Sequence, residues 1–303
     1  MSRSEPSIGD WVLARETGVT DAGRRRALGV LAATSLVLLL AGAAIQGGAW
    51  DRAWMLGLSA GQAPWPVQMV WSCLTVAGFG WSCLIVLLAA DRRDGTLVAL
   101  MGPVLVLTGG LSYSLKQWLA TLRPAGSDIG ASLAVIGERI QGLGSTPSGH
   151  ALAAAATSGL LVFWFASSPR LRGACWAIAL AGAGVAISRV MVGAHWPSDV
   201  LVGVATGLGI VLLVMVLAPI GPFAAALGRL ARASATARGQ RWVAVLELLS
   251  VAGLLITPTG YPLGWPMEVA LTLLGVGSAW RRWQRTRQKA DPAEGEVGKG
   301  PAP

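Results

Sequence analysis

Polar residues in this chain bunch into short segments, and between them lie apolar runs at 27–45, 67–90, 97–115, 151–166, 171–187 and 200–218. Each approaches the roughly 20 residues that a bilayer-crossing helix needs. Two shorter runs follow, at 242–257 and 267–280, the first of them carrying Glu247. Pro258-Thr259-Gly260-Tyr261-Pro262 between them has the composition of a tight turn, so this pair is expected to form a hairpin. Gly203, Gly207 and Gly209 inside the sixth run permit close helix packing. The pattern predicts an all-α fold, a polytopic transmembrane helix bundle. Eight crossings are expected; the alternative is six, with the last two runs lying at the interface.

Basic residues punctuate every second gap. Arg24, Arg25 and Arg26 precede the first run, Arg92 and Arg93 follow the second, and Arg170 and Arg172 follow the fourth. Arg229, Arg232, Arg238 and Arg241 follow the sixth, and Arg281, Arg282, Arg285, Arg287 and Lys289 follow the eighth. The first gap on the other side holds only Asp51 and Arg52. The positive-inside rule then predicts both termini in the cytoplasm. The expected organisation is a cytoplasmic N-terminal segment 1–26, a six-helix membrane core 27–218, a basic cytoplasmic linker 219–241, a transmembrane hairpin 242–280 and a disordered cytoplasmic tail 281–303. No small-residue cleavage site follows the run 27–45, so it is expected to remain as a signal-anchor helix.

Composition strengthens the membrane reading. Charged residues make up 13% of the chain, against about a quarter in soluble domains, so it cannot cover itself with a polar surface. The net charge of +9 sits in the gaps between apolar runs, which marks topology and excludes a nucleic-acid partner. Cys73, Cys83 and Cys175 lie inside apolar runs without metal-ligand spacing and read as small core fillers. Abundant Ala and Arg with little Lys point to a bacterial chain, and so to the inner (plasma) membrane.

Three polar clusters stand at the edges of apolar runs, all on the side opposite the basic gaps. Lys116 and Arg123 are seven residues apart, two turns on a continuous helix, and Pro124 should end or bend that helix. Taken alone, the two cations read equally well as interfacial anchors. In Pro147-Ser148-Gly149-His150, Ser148 is expected to cap the fourth helix and Gly149 to let a ligand approach the backbone. Exposed N–H groups at such a helix start bind anions, with His150 in the first turn facing them. Alone, this segment reads more often as a capped helix with an incidental histidine. The third cluster is the most specific: Arg189 closes the fifth run, His195 stands at the mouth of the sixth, and Asp199 follows four residues later. That spacing lets the Asp199 carboxylate hold one imidazole N–H and leaves the other ring nitrogen free as a nucleophile.

Lys116-x6-Arg123-Pro124, Pro147-Ser148-Gly149-His150 and Ser188-Arg189-x5-His195-x3-Asp199 together resemble the type-2 phosphatidic acid phosphatase superfamily, over roughly residues 97–218. The resemblance implies a six-helix core and a membrane-embedded phosphatase acting on lipid phosphates. It implies that His195 attacks phosphorus to give a phosphohistidine, that Asp199 orients it, and that His150 protonates the leaving oxygen and then activates water. Lys116, Arg123, Arg189, Ser148 and Gly149 would bind the phosphoryl oxygens, with no cofactor and no metal. Undecaprenyl diphosphate and phosphatidylglycerol phosphate are the favoured substrates among bacterial lipid phosphates. The site is expected to face the periplasm or outside, with bilayer lipids as surroundings. The alternatives are a phosphotransferase using the same residues with another acceptor, and a non-catalytic lipid transporter. The last two apolar runs lie outside this resemblance.

Overall fold

The computed structural model describes residues 21–91, 94–165 and 169–288. The expectations placed on residues 1–20, on Arg92 and Arg93, on Ala166 and on the tail from Lys289 onward lie outside the described residues. Helices dominate: α1 Asp21–Ile45, α2 Ala49–Leu58, α3 Trp65–Ala77, α4 Gly80–Ala90, α5 Thr96–Leu119, α6 Gly149–Phe165, α7 Arg172–Met191, α8 Pro197–Leu217, α9 Gly221–Ala235, α10 Ala237–Ile256 and α11 Trp265–Gln288. No strand forms among the described residues beyond one isolated bridge, Leu122 to Leu143. Helices α1, α5, α7, α8 and α10 are each long and apolar enough to cross a membrane, and α3 and α4 pass the same test only when taken together as a bent pair. The chain is therefore a multi-pass membrane protein with an all-α bundle. Helix α6 is apolar but only 17 residues long, and α11 ends in a basic turn.

The apolar run 67–90, expected as one helix, is broken at Gly78-Phe79, and its halves meet at 68°. Gly78 stands where a Cβ would come within 2.5 Å of a Val185 side-chain carbon and 3.3 Å of His150. Phe79 turns extended there, freeing backbone carbonyls that lipid cannot satisfy. Ser82 Oγ donates to the Val76 carbonyl at 2.7 Å, and the Cys83 thiol reaches the Ala77 carbonyl at 3.9 Å. The break thereby becomes tolerable and brings the Phe79 ring to the bundle interior.

Helices α6 and α8 pack closely at their starts. A Cβ at Gly203 would stand 2.7 Å from the Ser148 carbonyl oxygen, so only glycine lets the backbones approach this far. The Ser148 amide then donates to the Asp199 carbonyl at 3.0 Å, tying the two helix starts together.

The C-terminal third departs from expectation in two ways. The predicted linker is helix α9, whose buried Leu227 and Ala231 join the main core with α5 residues such as Leu97 and Leu100. The predicted tail begins too early: α11 continues to Gln288, and Arg282 is 3% exposed. Its guanidinium donates to Glu247 at 3.0 Å, to Gln240 at 2.6 Å and to Asp91 at 3.4 Å. Ser278 Oγ also donates to Glu247, at 2.7 Å. A carboxylate inside an apolar run needs such a partner, and here it comes from the segment that sequence assigned to the tail.

Candidate active site

The site gathers at one end of the bundle. It takes the end of α5, the loop 120–148, the start of α6, the end of α7 and the start of α8. Helix α5 stops at Leu119 because Ala120 turns left-handed, with φ 42°, so Lys116 and Arg123 do not share a helix face as expected. The loop nonetheless returns Arg123 to the site. Its guanidinium lies 3.3 Å from His195 Nε2 and donates to the Ala194 carbonyl at 3.2 Å. Lys116 donates to the Gly144 carbonyl at 3.1 Å.

His195 is buried between α7 and α8, where its amide donates to the Arg189 carbonyl at 3.2 Å. A guanidinium can only donate, so Arg123 requires a lone pair on Nε2 and puts the ring proton on Nδ1. Nδ1 faces the Asp199 carboxylate at 3.5 Å. Asp199 is itself held by donors: the Ser145 and Thr146 hydroxyls and the Trp196 amide at 2.9 Å. Thr146 is in turn fixed by Thr121, which donates to its hydroxyl at 2.8 Å. Asp51 in α2 accepts from the Ser198 amide at 2.9 Å and its hydroxyl at 2.6 Å, capping the first turn of α8.

Ser148 does not play the expected capping role. Its hydroxyl is buried without a hydrogen-bond partner among the described residues, as are His150 Nε2 and Arg189 Nε. His150 packs edge-on against Phe79, with ring centroids 4.6 Å apart and planes at 84°. Gly78 at the α3 break lies against both His150 and Val185 of α7. Arg189 is 1% exposed and donates to the Tyr261 hydroxyl at 3.1 Å. Gly149 has an open flank, with Ser112 Oγ at 3.7 Å as the nearest atom to an added Cβ.

The structure thus brings together all eight residues singled out from the sequence, and adds others. Ser145, Thr146 and Asp51 hold Asp199 or the start of α8, Phe79 holds His150, and Tyr261 holds Arg189. Only Asp51, a lone acid beside an apolar run, carried a visible signal.

Residues 97–220 match the family model described as the PAP2 superfamily. A solved structure, the first transmembrane PAP2-type phosphatidylglycerolphosphate phosphatase from Bacillus subtilis, is 26% identical, with a TM-score of 0.47 over 64% of this chain and 98% of its own. No curated protein matches the chain. The matched segment holds all eight predicted residues, whereas Asp51, Phe79 and Tyr261 lie outside it.

Burial pushes the His195 imidazole down to about 4, assisted by Arg189 and Arg123 and opposed by Asp199. Burial, with Arg189 nearby, likewise lowers the Arg123 guanidinium, while Asp199 opposes the shift. Between about 4 and the ordinary imidazole value of about 6.5, the unfolded chain binds a proton that folded His195 refuses, so stability rises with pH through that window. Ring ¹⁵N shifts of histidine-labelled protein, assigned by loss of signal in His195→Ala, should show His195 neutral at pH 5.5. A ring already protonated at pH 6 would contradict the buried, neutral assignment.

Proposed function

We propose that the protein is a lipid phosphate phosphatase that acts on membrane lipid (di)phosphates through a phosphohistidine on His195. The observation that carries this reading is Arg189. It is a fully buried cation whose hydrogen-bond partner among the described residues is a neutral phenol, and no carboxylate pairs with it there. An uncompensated buried charge costs several kcal/mol. An anion supplied by the substrate removes that cost, and Lys116 and Arg123 favour the same anion. The unpartnered Ser148 hydroxyl, His150 Nε2 and Arg189 Nε offer the hydrogen bonds that a phosphoryl group takes.

In the first step the Nε2 lone pair of His195 attacks phosphorus, a P–N bond forms and the P–O bond to the lipid breaks. His150 delivers a proton to the departing oxygen. Asp199 holds Nδ1–H and balances the positive charge that the ring gains. In the second step His150 takes a proton from water, the hydroxide attacks phosphorus, and the P–N bond breaks to release phosphate and neutral His195. The cations stabilise charge on the equatorial oxygens, which is the main protein task in phosphoryl transfer. The reading requires no metal.

The orientation belongs to the same proposal. The arginine-rich segments lie at the end of the bundle opposite His195, which supports a site open to the periplasm or exterior and termini in the cytoplasm. A site at that boundary receives an amphiphilic phosphate whose tail stays in lipid. Undecaprenyl diphosphate and phosphatidylglycerol phosphate are the favoured substrates of an enzyme of broad specificity, since the site chemistry addresses phosphate and not the tail.

Purified enzyme should release phosphate from several lipid phosphates at matched surface concentration, with and without EDTA. Discrimination should follow the headgroup. A single substrate preferred by more than about 10⁴-fold in kcat/KM contradicts this breadth, because apolar contacts discriminate weakly per methylene. Activity abolished by EDTA and restored by Mg²⁺ would reject the mechanism.

A further inference from the structure

The geometry points to Tyr261, in the turn between α10 and α11, as a positioning residue that holds Arg189 in the phosphate site without neutralising it. The turn lies beyond the PAP2-matched segment, so the C-terminal hairpin takes part in the site. The inference rests on the phosphatase reading for its catalytic meaning, and on geometry for its physical content.

Tyr261 is 2% exposed and packs among Val76 of α3, Ile85 of α4, Leu254 of α10 and Val192 and Ala194 of the loop that carries His195. Its hydroxyl accepts from Arg189 Nη1 at 3.1 Å, and the Arg189 guanidinium carbon lies 5.4 Å from the centre of its ring. Both contacts favour a cation in this place while adding no full negative charge. A carboxylate there would pair with Arg189 and compete with the substrate. A phenol leaves the charge intact, and Nε has no hydrogen-bond partner among the described residues.

The turn is itself anchored to the outer loop. The Glu138 amide donates to the Gly260 carbonyl at 2.8 Å. Gly137 has φ +74°, and a Cβ on it would stand 2.3 Å from the Gly260 oxygen and 2.7 Å from the Tyr261 ring. This fit fixes the phenol relative to the loop that carries Arg123.

The test compares wild type, Tyr261→Phe, Arg189→Ala and the double variant. Affinity for inorganic phosphate is measured by calorimetry in detergent, and kcat and KM on a lipid phosphate. Tyr261→Phe removes one oxygen and keeps the ring, so the melting temperature serves as the check on folding. Loss of a hydrogen bond to a charged group should weaken phosphate binding and kcat/KM by about 10- to 100-fold. In the Arg189→Ala background the same change should cost less than about 3-fold, because its effect passes through Arg189. Tyr113→Phe, at the exposed second tyrosine, should change nothing. An equal loss in both backgrounds, unaltered phosphate affinity in Tyr261→Phe, or no phosphate binding by wild type overturns the inference. Phosphate binding that depends on Tyr261 in a protein that hydrolyses no lipid phosphate sinks the functional reading and leaves the positioning role standing.

Discussion

Replacing His195 by Ala is expected to reduce phosphate release by about 10⁴-fold or more, the scale seen when a covalent nucleophile is lost. The fold should survive. Asp199 keeps the Ser145 and Thr146 hydroxyls and the Trp196 amide as donors, so its carboxylate is not left bare. The arrangement that motivates this is the Nε2 lone pair facing Arg123 with Nδ1 turned to Asp199. Acid-quenched wild type incubated with ³²P-labelled substrate should carry acid-labile label on protein, and the variant should carry none. Well-folded His195→Ala with more than about a tenth of wild-type turnover excludes the covalent route.

His150→Ala should cost about 10²- to 10⁴-fold, the usual yield of a positioned acid–base group. His150 Nε2 is buried and unpartnered among the described residues, and Phe79 fixes its ring edge-on. On the proposed mechanism this nitrogen carries the transferred proton. A substrate whose leaving group is a stable phenolate needs no proton, so phosphoenzyme formation on it should be largely restored in the variant. Dephosphorylation should remain slow, since water still needs a base. Rapid-quench measurement of both phases separates these effects. If the phenolate ester is cleaved as poorly as an alkyl ester, His150 is not the general acid.

The helices were legible in the sequence because hydropathy reports what lipid demands of a backbone. All eight apolar runs appear as helices, though one is broken. The break escaped notice because 67–90 is uniformly apolar, and Gly78-Phe79 becomes a bend only against Val185 and His150, more than seventy residues away in the chain. The eight candidate residues could be singled out because three motifs carry them at fixed spacing. Their holders were not. Ser145 and Thr146 reach Asp199 across more than fifty positions, and Tyr261 reaches Arg189 across seventy-two. Contacts at such separation leave no periodic trace. Arg282 looked like any other arginine of a basic cluster; the clue to it was Glu247, a carboxylate in an apolar run that required a buried cation.

That Arg282 cluster bears on how the chain can be divided. Asp91 at the end of α4 and Glu247 in α10 are joined through one guanidinium of α11, while at the other end of the same hairpin Gly260 is tied to Glu138 of the loop 120–148. Helices α10 and α11 are thus riveted to the remainder at both ends of the hairpin. A shortened protein ending at Ala218 would not be a minimal enzyme with an appendage trimmed off. It would take Arg282 away from Asp91 at one end and Tyr261 away from Arg189 at the other. Anyone seeking the smallest working unit of this protein should count the hairpin as part of it.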